Sequence, residues 1–453
     1  MNSQVRFDES LAFFVEALLR VVPRERIVGG WILRDASGHL TFISPEKLSD
    51  KDRKEAVESV IAAVSHYCRQ DSCILDVTEP GVDSLTVSPN ILNEEVNTEP
   101  AVTIRLIDRR IVGHDWLVKP APGWQPPQPA RIVFASLKGG VGRSTALAVV
   151  AAELARTGHK ILAIDLDLEA PGLGTMLIPQ DEQPEYGVMD WFVEQGISGV
   201  SDDREFLNEM IAPSPFSGGK GLIDVVPAVG RSSDSHPANV LAKLARAYLE
   251  LPQNEGPPKS FLAQTQELLG QLSTLNQYDA ILIDARAGLN ESTAASILGL
   301  GADILLFGVD TPQTFASYRY LLAHLARFPR DRDDDWLYRL RMVHAKASPD
   351  SARQAAFRDH SYEIFSELLY RDQPLLDDQG QPLTEETTRQ PLTTEQFGLE
   401  DITGPHYAWT VLSDSNFSEF DPLLVRSQLE EEFYQRTYAS LIDGVRSLIV
   451  ETT

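Results

Sequence analysis

The stretch from Arg131 to Leu154 constrains the fold of this chain more than any other part of it. Its sequence is RIVFASLKGGVGRSTALAVVAAEL. The first residues are apolar and β-branched, which is typical of a buried strand, and the last ten are rich in Ala and Leu, which favours a helix. A glycine-rich turn lies between them. Such a turn directs backbone N–H groups toward one point, and the positive end of the helix dipole adds to it, so the stretch predicts a phosphate-binding loop.

The turn departs twice from the usual phosphate-loop pattern G-x-x-x-x-G-K-[ST]. Leu137 stands where the first glycine belongs, and Arg143 replaces the lysine. A lysine is present earlier, because Lys138 precedes the glycine pair. Arg143 keeps the charge of lysine, but its planar guanidinium is not a point charge. The alternative interpretation is an ordinary glycine-rich turn between a strand and a helix.

Two further motifs follow at the ends of predicted strands. DLDLEAPGLG begins at Asp165, and YDAILIDARAGLNE contains Asp284 after an apolar run. In open α/β sheets, ligands bind beyond the carboxyl ends of the strands. We therefore expect Asp165, Asp167 and Asp284 to face one crevice, where carboxylates can support Mg²⁺ or orient an attacking water molecule. The alternative for the first two is a capped loop with solvated acids.

The chain is expected to form two domains. Strands and helices alternate over 130–453, which predicts an α/β domain with a mostly parallel, doubly wound sheet. Residues 1–119 predict a small α+β domain of unknown role. Residues 120–129 hold five prolines and predict a stiff linker, and residues 371–405 predict an exposed insertion. The strands predicted in the first domain cover 27–33, 39–43, 74–77, 102–107 and 111–118.

Composition narrows the function classes. The formal net charge is −26, from 66 acidic and 40 basic residues, which argues against a broad DNA-coating surface because nonspecific binding depends on phosphate neutralisation. Cys68 and Cys73 are too few for a disulfide framework or a zinc site, and we expect them to be reduced thiols of a cytoplasmic protein. No leader sequence and no apolar run of membrane-spanning length is visible, so we expect no membrane span.

Together, the motifs KGGVGRST, DLDLEAPGLG and YDAILIDARAGLNE resemble those of the ParA/MinD family of P-loop ATPases. The nearest likeness is a bacterial subgroup in which arginine is usual at the position of Arg143. The resemblance spans most of residues 130–345 and leaves 1–119 uncovered. It implies a slow ATPase that uses ATP and Mg²⁺, forms an ATP-dependent sandwich homodimer and recruits a protein partner, for which 1–119 is one available surface. The implied context is bacterial positioning, segregation or defence signalling.

The resemblance also implies roles for single residues. Lys138 would reach the nucleotide of the partner subunit, Arg143 would contact phosphate within its own subunit, and Asp167 would orient the attacking water, so these three form the expected catalytic set. Gly288 would bring a backbone N–H to the γ-phosphate. The expected magnesium ligands and supports are Ser144, Asp165 and Asp284. The expected nucleotide contacts are Lys138, Gly139, Gly140, Val141, Gly142, Arg143, Ser144, Thr145 and Gly288.

Several alternatives stay open at the level of sequence. A nucleotide-dependent scaffold with little hydrolysis fits the same motifs. A bacterial tyrosine kinase shares related loops, but it calls for a C-terminal tyrosine cluster, and this chain offers Tyr434 and Tyr438 there. Arg286 would read the partner subunit or the phosphate, or it would form a surface ion pair. The adenine contact is expected near residues 344–346, and the last predicted helix is too acidic for a basic membrane anchor.

Overall fold

The computed structural model describes residues 5–82, 86, 91–110, 113–120, 127–200, 203–253, 258–328, 336–370, 372–374 and 393–450. The chain divides into two compact units, residues 1–119 with 327–329, and residues 120–326 with 330–453. Residues 121–126 of the predicted linker lie outside the described residues, as do 371 and 375–392 of the predicted insertion.

The first unit contains a five-stranded mixed sheet together with helices. Its elements are α1 (Phe7–Leu19), α2 (Arg24–Gly29), β1 (Trp31–Arg34), β2 (Leu40–Ser44), α3 (Asp50–Val64), β3 (Ile74–Asp76), β4 (Ile91–Val96) and β5 (Val102–Asp108). The strand order is β3-β2-β1-β5-β4. β1 runs parallel to β5 and antiparallel to β2. Helix α1 contributes Phe14, Val15 and Leu18 to the core, where all three are fully buried, so apolar burial holds this unit together.

Two strand predictions for the first unit need correction. The strand predicted over 27–33 is confirmed only from residue 31, because residues 27–29 form the end of helix α2 and β1 starts after Gly30. The segment predicted as strand 111–118 contains a 3₁₀ turn at Asp115–Leu117 instead, and its residues 111–112 lie outside the described part. The edge strand β4 has no counterpart in the prediction, since its ILNEEV sequence is only partly buried.

The second unit alternates strands and helices. Its elements are β6 (Ala130–Ser136), α4 (Arg143–Arg156), β7 (Lys160–Asp165), α5 (Leu173–Leu177), α6 (Val188–Ile197), α7 (Arg204–Asn208), β8 (Ala212–Pro213), β9 (Leu222–Val226), α8 (Arg231–Ser235), α9 (Val240–Ala247), α10 (Phe261–Ser273), β10 (Ala280–Asp284), α11 (Glu291–Ala294), β11 (Asp303–Gly308), α12 (Pro312–Leu325), β12 (Leu340–Ala347), α13 (Ser351–Leu368), β13 (Asp372–Pro374), β14 (Thr393–Glu395), β15 (Trp409–Leu412) and α14 (Glu431–Val450). Among the described residues, none of the chain's helices combines the length and the apolar character that crossing a membrane requires.

The main sheet of this unit has eight strands in the order β15-β12-β11-β6-β10-β7-β9-β8. Every neighbouring pair runs parallel except β8 with β9. Ile132 and Phe134 belong to the core shared with α4 and α14, while Val133 between them is also fully buried, so both faces of β6 are covered. This confirms the predicted mostly parallel, doubly wound α/β fold.

The strand order brings the predicted motifs together. β10 lies between β6 and β7, and its last residue, Asp284, pairs in register with Asp165 of β7 and with Phe134 of β6. Because parallel strands end at the same edge of a sheet, the glycine turn after β6 and both acidic motifs lie at one edge.

Candidate nucleotide-binding site

The glycine turn after β6 leaves its backbone open to a cleft. Gly140 and Gly142 have φ values of +72° and +90°, the left-handed region that glycine adopts without steric cost. A Cβ added at Gly139, Gly140 or Gly142 would meet no atom within 4 Å. Helix α4 begins at the next residue, Arg143, so its free N–H groups and its positive dipole end lie at the turn.

The cleft above this turn has a volume of about 520 Å³, which lies within the size range of small-molecule sites. It opens to solvent and combines the glycine turn with residues of both acidic motifs. Its lining residues are Ser136, Gly139, Gly140, Val141, Gly142, Arg143, Ser144, Thr145, Asp167, Glu169, Ala170, Met176, Arg286 and Ala287. The structure therefore brings most of the predicted nucleotide contacts to one place.

Arg143 is held by two carboxylates, one of which, Asp167, lines the cleft while the other, Asp284, is buried beneath it. Its Nε donates to Asp284 Oδ1 at 2.5 Å, and its Nη2 donates to Asp167 Oδ2 at 3.1 Å. The planar guanidinium suits two acceptors at once, where an ammonium would offer a single point of charge. Burial alone would lower the pKa of Arg143, but the charges of Asp284 and Asp167 outweigh it and raise that pKa. Arg143 thus carries a fixed positive charge at the base of the cleft.

Ser144 and Asp284 form a pair suited to magnesium. Ser144 Oγ donates to Asp284 Oδ2 at 2.5 Å, and Asp284 is 1% exposed. Burial raises the pKa of Asp284, while Arg143 and Ser144 oppose that rise. Within the described residues no cluster of three or more His, Cys, Asp or Glu side chains could hold a metal ion. Mg²⁺ commonly takes one or two protein oxygens and completes its shell with phosphate and water, which fits this pair.

Asp165 does not line the cleft, contrary to its predicted place beside the metal. Its Oδ1 accepts the N–H of Asp167 at 2.9 Å, and its Oδ2 accepts those of Gly172 and Leu173, both at 3.0 Å. Burial and the nearby charge of Asp284 raise its pKa, against these hydrogen bonds. Since both oxygens are used by backbone donors, Asp165 shapes the loop after β7 and thereby positions Asp167.

Two more of the predicted contacts lie outside the cleft lining. The N–H of Gly288 donates to the backbone oxygen of Ser136 at 3.0 Å, so it is engaged within the chain and not directed at a γ-phosphate. Lys138 is exposed and lies beside the glycine turn. In the part of the chain that the structure describes, no carboxylate pairs with it.

Other predicted features have structural partners of their own. Arg286 pairs with Glu169, and both side chains line the cleft, which matches the ion-pair alternative. His344 stacks on Phe357 with ring centroids 4.0 Å apart, and burial lowers its pKa to about 4, so its ring is not open to a base. The prediction missed one contact, in which Lys346 Nζ donates to the backbone oxygen of Gly140 at 2.8 Å. No local signal predicts a contact across 206 positions.

The C-terminal tyrosines belong to the core. Tyr434 is 1% exposed and donates to Glu153, and Tyr438 is 3% exposed. A kinase substrate tail needs accessible hydroxyl groups, so the burial of both side chains argues against the tyrosine-kinase alternative.

Comparisons with known proteins agree with the motifs. Residues 130–230 match a family model described as an AAA domain. An iron-sulfur cluster carrier protein of Pseudomonas fragi is 28% identical over 175 residues, which are 38% of this chain and 58% of that protein. The chain thus spans less than two thirds of the length of this curated relative.

Two solved structures are similar to part of this chain. ParA of pNOB8 is 19% identical with a TM-score of 0.41, covering 72% of this chain and 99% of that one. The cell division ATPase MinD of Pyrococcus furiosus is 17% identical with a TM-score of 0.40, covering 71% of this chain and all of that one. Residues 130–230 of the second unit thus match the AAA-domain model, and the three motifs at one edge of its sheet resemble those of ParA/MinD-like P-loop proteins.

Proposed function

We propose that the second unit binds ATP with Mg²⁺ in the cleft above the glycine turn, and that two copies of the chain close over the nucleotides as a homodimer. One observation carries the proposal. The glycine turn, the start of α4 and the side chains of Arg143, Ser144 and Asp167 all line one cleft of about 520 Å³. A triphosphate needs this combination of backbone N–H groups, fixed positive charge and oxygen ligands for its metal.

Each group of the cleft has a proposed task. The N–H groups of the turn and of the first turn of α4 would bind the phosphate oxygens. Ser144 and Asp284 would hold Mg²⁺, which supplies positive charge between phosphate oxygens. Arg143 would share its charge between the phosphates and the carboxylates that now hold it. Asp167, released in part from Arg143, would orient the attacking water molecule.

Lys138 would act on the second copy. Its side chain is exposed beside the turn and not part of its own cleft lining. An exposed ammonium group at the rim is free to reach an anion presented by another molecule, whereas Arg143 is not. The ATP-bound dimer would then recruit a protein partner, with residues 1–119 as the proposed recognition unit, and hydrolysis would reset the dimer.

A second candidate function is a nucleotide-dependent scaffold that hardly hydrolyses ATP. The observation that favours it is the 3.1 Å hydrogen bond from Arg143 Nη2 to Asp167 Oδ2. A carboxylate that stays paired with a guanidinium is a weak proton acceptor. If this ion pair persists when nucleotide binds, Asp167 is unavailable to the water molecule.

Phosphate release separates the two functions. Purified chain with Mg-ATP should release phosphate slowly, and Asp167→Ala should lower the rate at least tenfold, since positioned acid–base groups contribute 10² or more. The ATP-bound dimer of the same variant should also last longer than that of the parent, as measured by sedimentation. Tight ATP binding with no phosphate release by the parent would support the scaffold and reject the ATPase. Equal turnover by parent and variant would remove Asp167 from the mechanism.

The trapped ATP-bound dimer can be used to test whether the chain recruits a protein partner. Full-length Asp167→Ala with ATP should retain the partner, and the same chain with ADP should not. Equal retention with both nucleotides would contradict an ATP-controlled recruitment.

A further inference from the structure

Lys346 combines two independent features. It lies near the carboxyl end of β12, where the pairing with β15 shifts register between His344 and Ala347. Its φ is +51°, and among the described residues it is the one non-glycine residue with a positive φ. Its side chain is exposed, and its Nζ donates to the backbone oxygen of Gly140 at 2.8 Å.

The backbone of Lys346 directs the side chain toward the glycine turn. A left-handed backbone is unfavourable for a residue with a Cβ and persists only where the surroundings hold it, which is common at functional sites. Here Ala345 and Ala347 are buried on either side, and an irregular ladder of this kind re-aims a side chain. In the strand order β12 is separated from β6 by β11 alone, so a lysine at its end is long enough to reach the turn after β6.

We propose that Lys346 is a positioning residue for the phosphate loop, an inference that rests on the nucleotide-binding role proposed above. In a trans peptide the N–H points opposite to the preceding carbonyl. By holding the carbonyl of Gly140 on one side, the ammonium group of Lys346 keeps the N–H of Val141 directed to the other side. Gly140 and Val141 both line the cleft. The lysine therefore orients a backbone N–H that can donate a hydrogen bond to a phosphate oxygen, and it adds positive charge at the rim of the cleft.

The test compares Lys346→Met with Lys346→Arg in the full chain. Methionine keeps the side-chain length but removes the charge and the donor, whereas arginine keeps both. We expect Lys346→Met to raise the Kd for Mg-ATP about fivefold, the size of a partly exposed charge-assisted hydrogen bond, and Lys346→Arg to stay within about twofold of the parent. The matched control is Lys220→Met, an exposed lysine next to the left-handed Gly218 and Gly219, which should leave the Kd unchanged.

Amide hydrogen exchange without nucleotide gives a second measurement that does not depend on ATP. Exchange of the amides at 139–142 should be faster in Lys346→Met than in the parent, and unchanged in Lys220→Met. If the parent binds Mg-ATP and Lys346→Met matches it in both Kd and exchange, this inference fails and the proposed function stands. If the parent binds no nucleotide, the proposed function fails, and this inference fails with it.

Discussion

Two basic residues flank the glycine turn, and the structure places them in opposite environments. Lys138 precedes the turn and is exposed, whereas Arg143 follows it and is 7% exposed. Arg143 is held by Asp167 and Asp284, while Lys138 has no carboxylate partner among the described residues. Two residues of the same formal charge therefore lie in different electrostatic environments within one loop.

The difference in burial and pairing between Lys138 and Arg143 follows from their positions relative to the sheet. Arg143 is the first residue of α4, whose start lies over the carboxyl ends of β7 and β10, so acids from both strand ends reach its guanidinium. Lys138 lies on the exit from β6, before the chain turns back over the sheet. A charge buried with two partners is expensive to remove, whereas an exposed charge contributes little to folding. The comparison predicts a clear ranking of mutational effects.

Arg143→Ala should have the largest effect. It leaves Asp167 and Asp284 buried without their cation, and we expect the free energy of unfolding to fall by about 3 kcal/mol at pH 7. The loss should be smaller at pH 5. Burial raises the pKa of Asp284 and Arg143 opposes that rise, so without the guanidinium this pKa lies further above its unfolded value. The folded state then takes up a proton first and regains stability as the pH falls. Urea unfolding at both pH values measures this.

Arg143→Lys is the matched control for that variant. It restores a charge but not the fork that contacts two acceptors, so its stability should lie between those of the parent and Arg143→Ala. If Arg143→Ala has the stability of the parent at pH 7, the two ion pairs contribute nothing to folding. The predicted difference in stability between the Arg143 and Lys138 variants would then be wrong.

Asp167→Asn should have an intermediate effect. It removes one of the two carboxylates from Arg143 but keeps an amide oxygen near Nη2 and leaves Asp284 in place. A hydrogen bond to a charged group contributes about 1.5–3 kcal/mol. Because an amide oxygen remains, we expect a loss near the lower end of that range in thermal or urea unfolding. A loss as large as that of Arg143→Ala would mean that Asp167, and not Asp284, is the dominant partner.

Lys138→Ala should have the smallest effect on folding. Its free energy of unfolding should stay within about 0.5 kcal/mol of the parent, as for other surface substitutions. The same variant should bind Mg-ATP as a monomer and lose the ATP-dependent dimer in sedimentation. Lys220→Ala serves as the exposed-lysine control and should dimerise normally. Equal dimer fractions for Lys138→Ala and the parent would contradict the proposed action on the second copy.

The sequence predicted the second unit better than the first. Its buried parallel strands are nearly continuous apolar runs, such as RIVFA and AILID, and such runs indicate buried strands clearly. In the first unit, the strand β4 (ILNEEV) has three polar residues in a row, and the helix α2 contains the apolar pair Ile27 and Val28, so the local pattern misleads in both directions. Tertiary packing decides such short segments.

At the site, sequence motifs located the cleft but not the internal contacts. Strand ends and the glycine turn predicted which residues would meet. They did not predict that backbone donors would occupy both oxygens of Asp165, or that the N–H of Gly288 would be used by Ser136. These contacts, like those of Lys346, depend on which hydrogen-bonding groups the folded chain leaves unpaired, and residue spacing does not reveal that.

Calorimetric titration of Mg-ATP into the full chain tests the central claim most directly. We predict saturable heat for the parent and for Gly219→Val, a left-handed glycine that also faces open space. Gly140→Val should give no saturable heat, because a β-branched residue cannot adopt its φ of +72° without distorting the turn. No heat from the parent at millimolar Mg-ATP, or equal binding by Gly140→Val, would contradict the account.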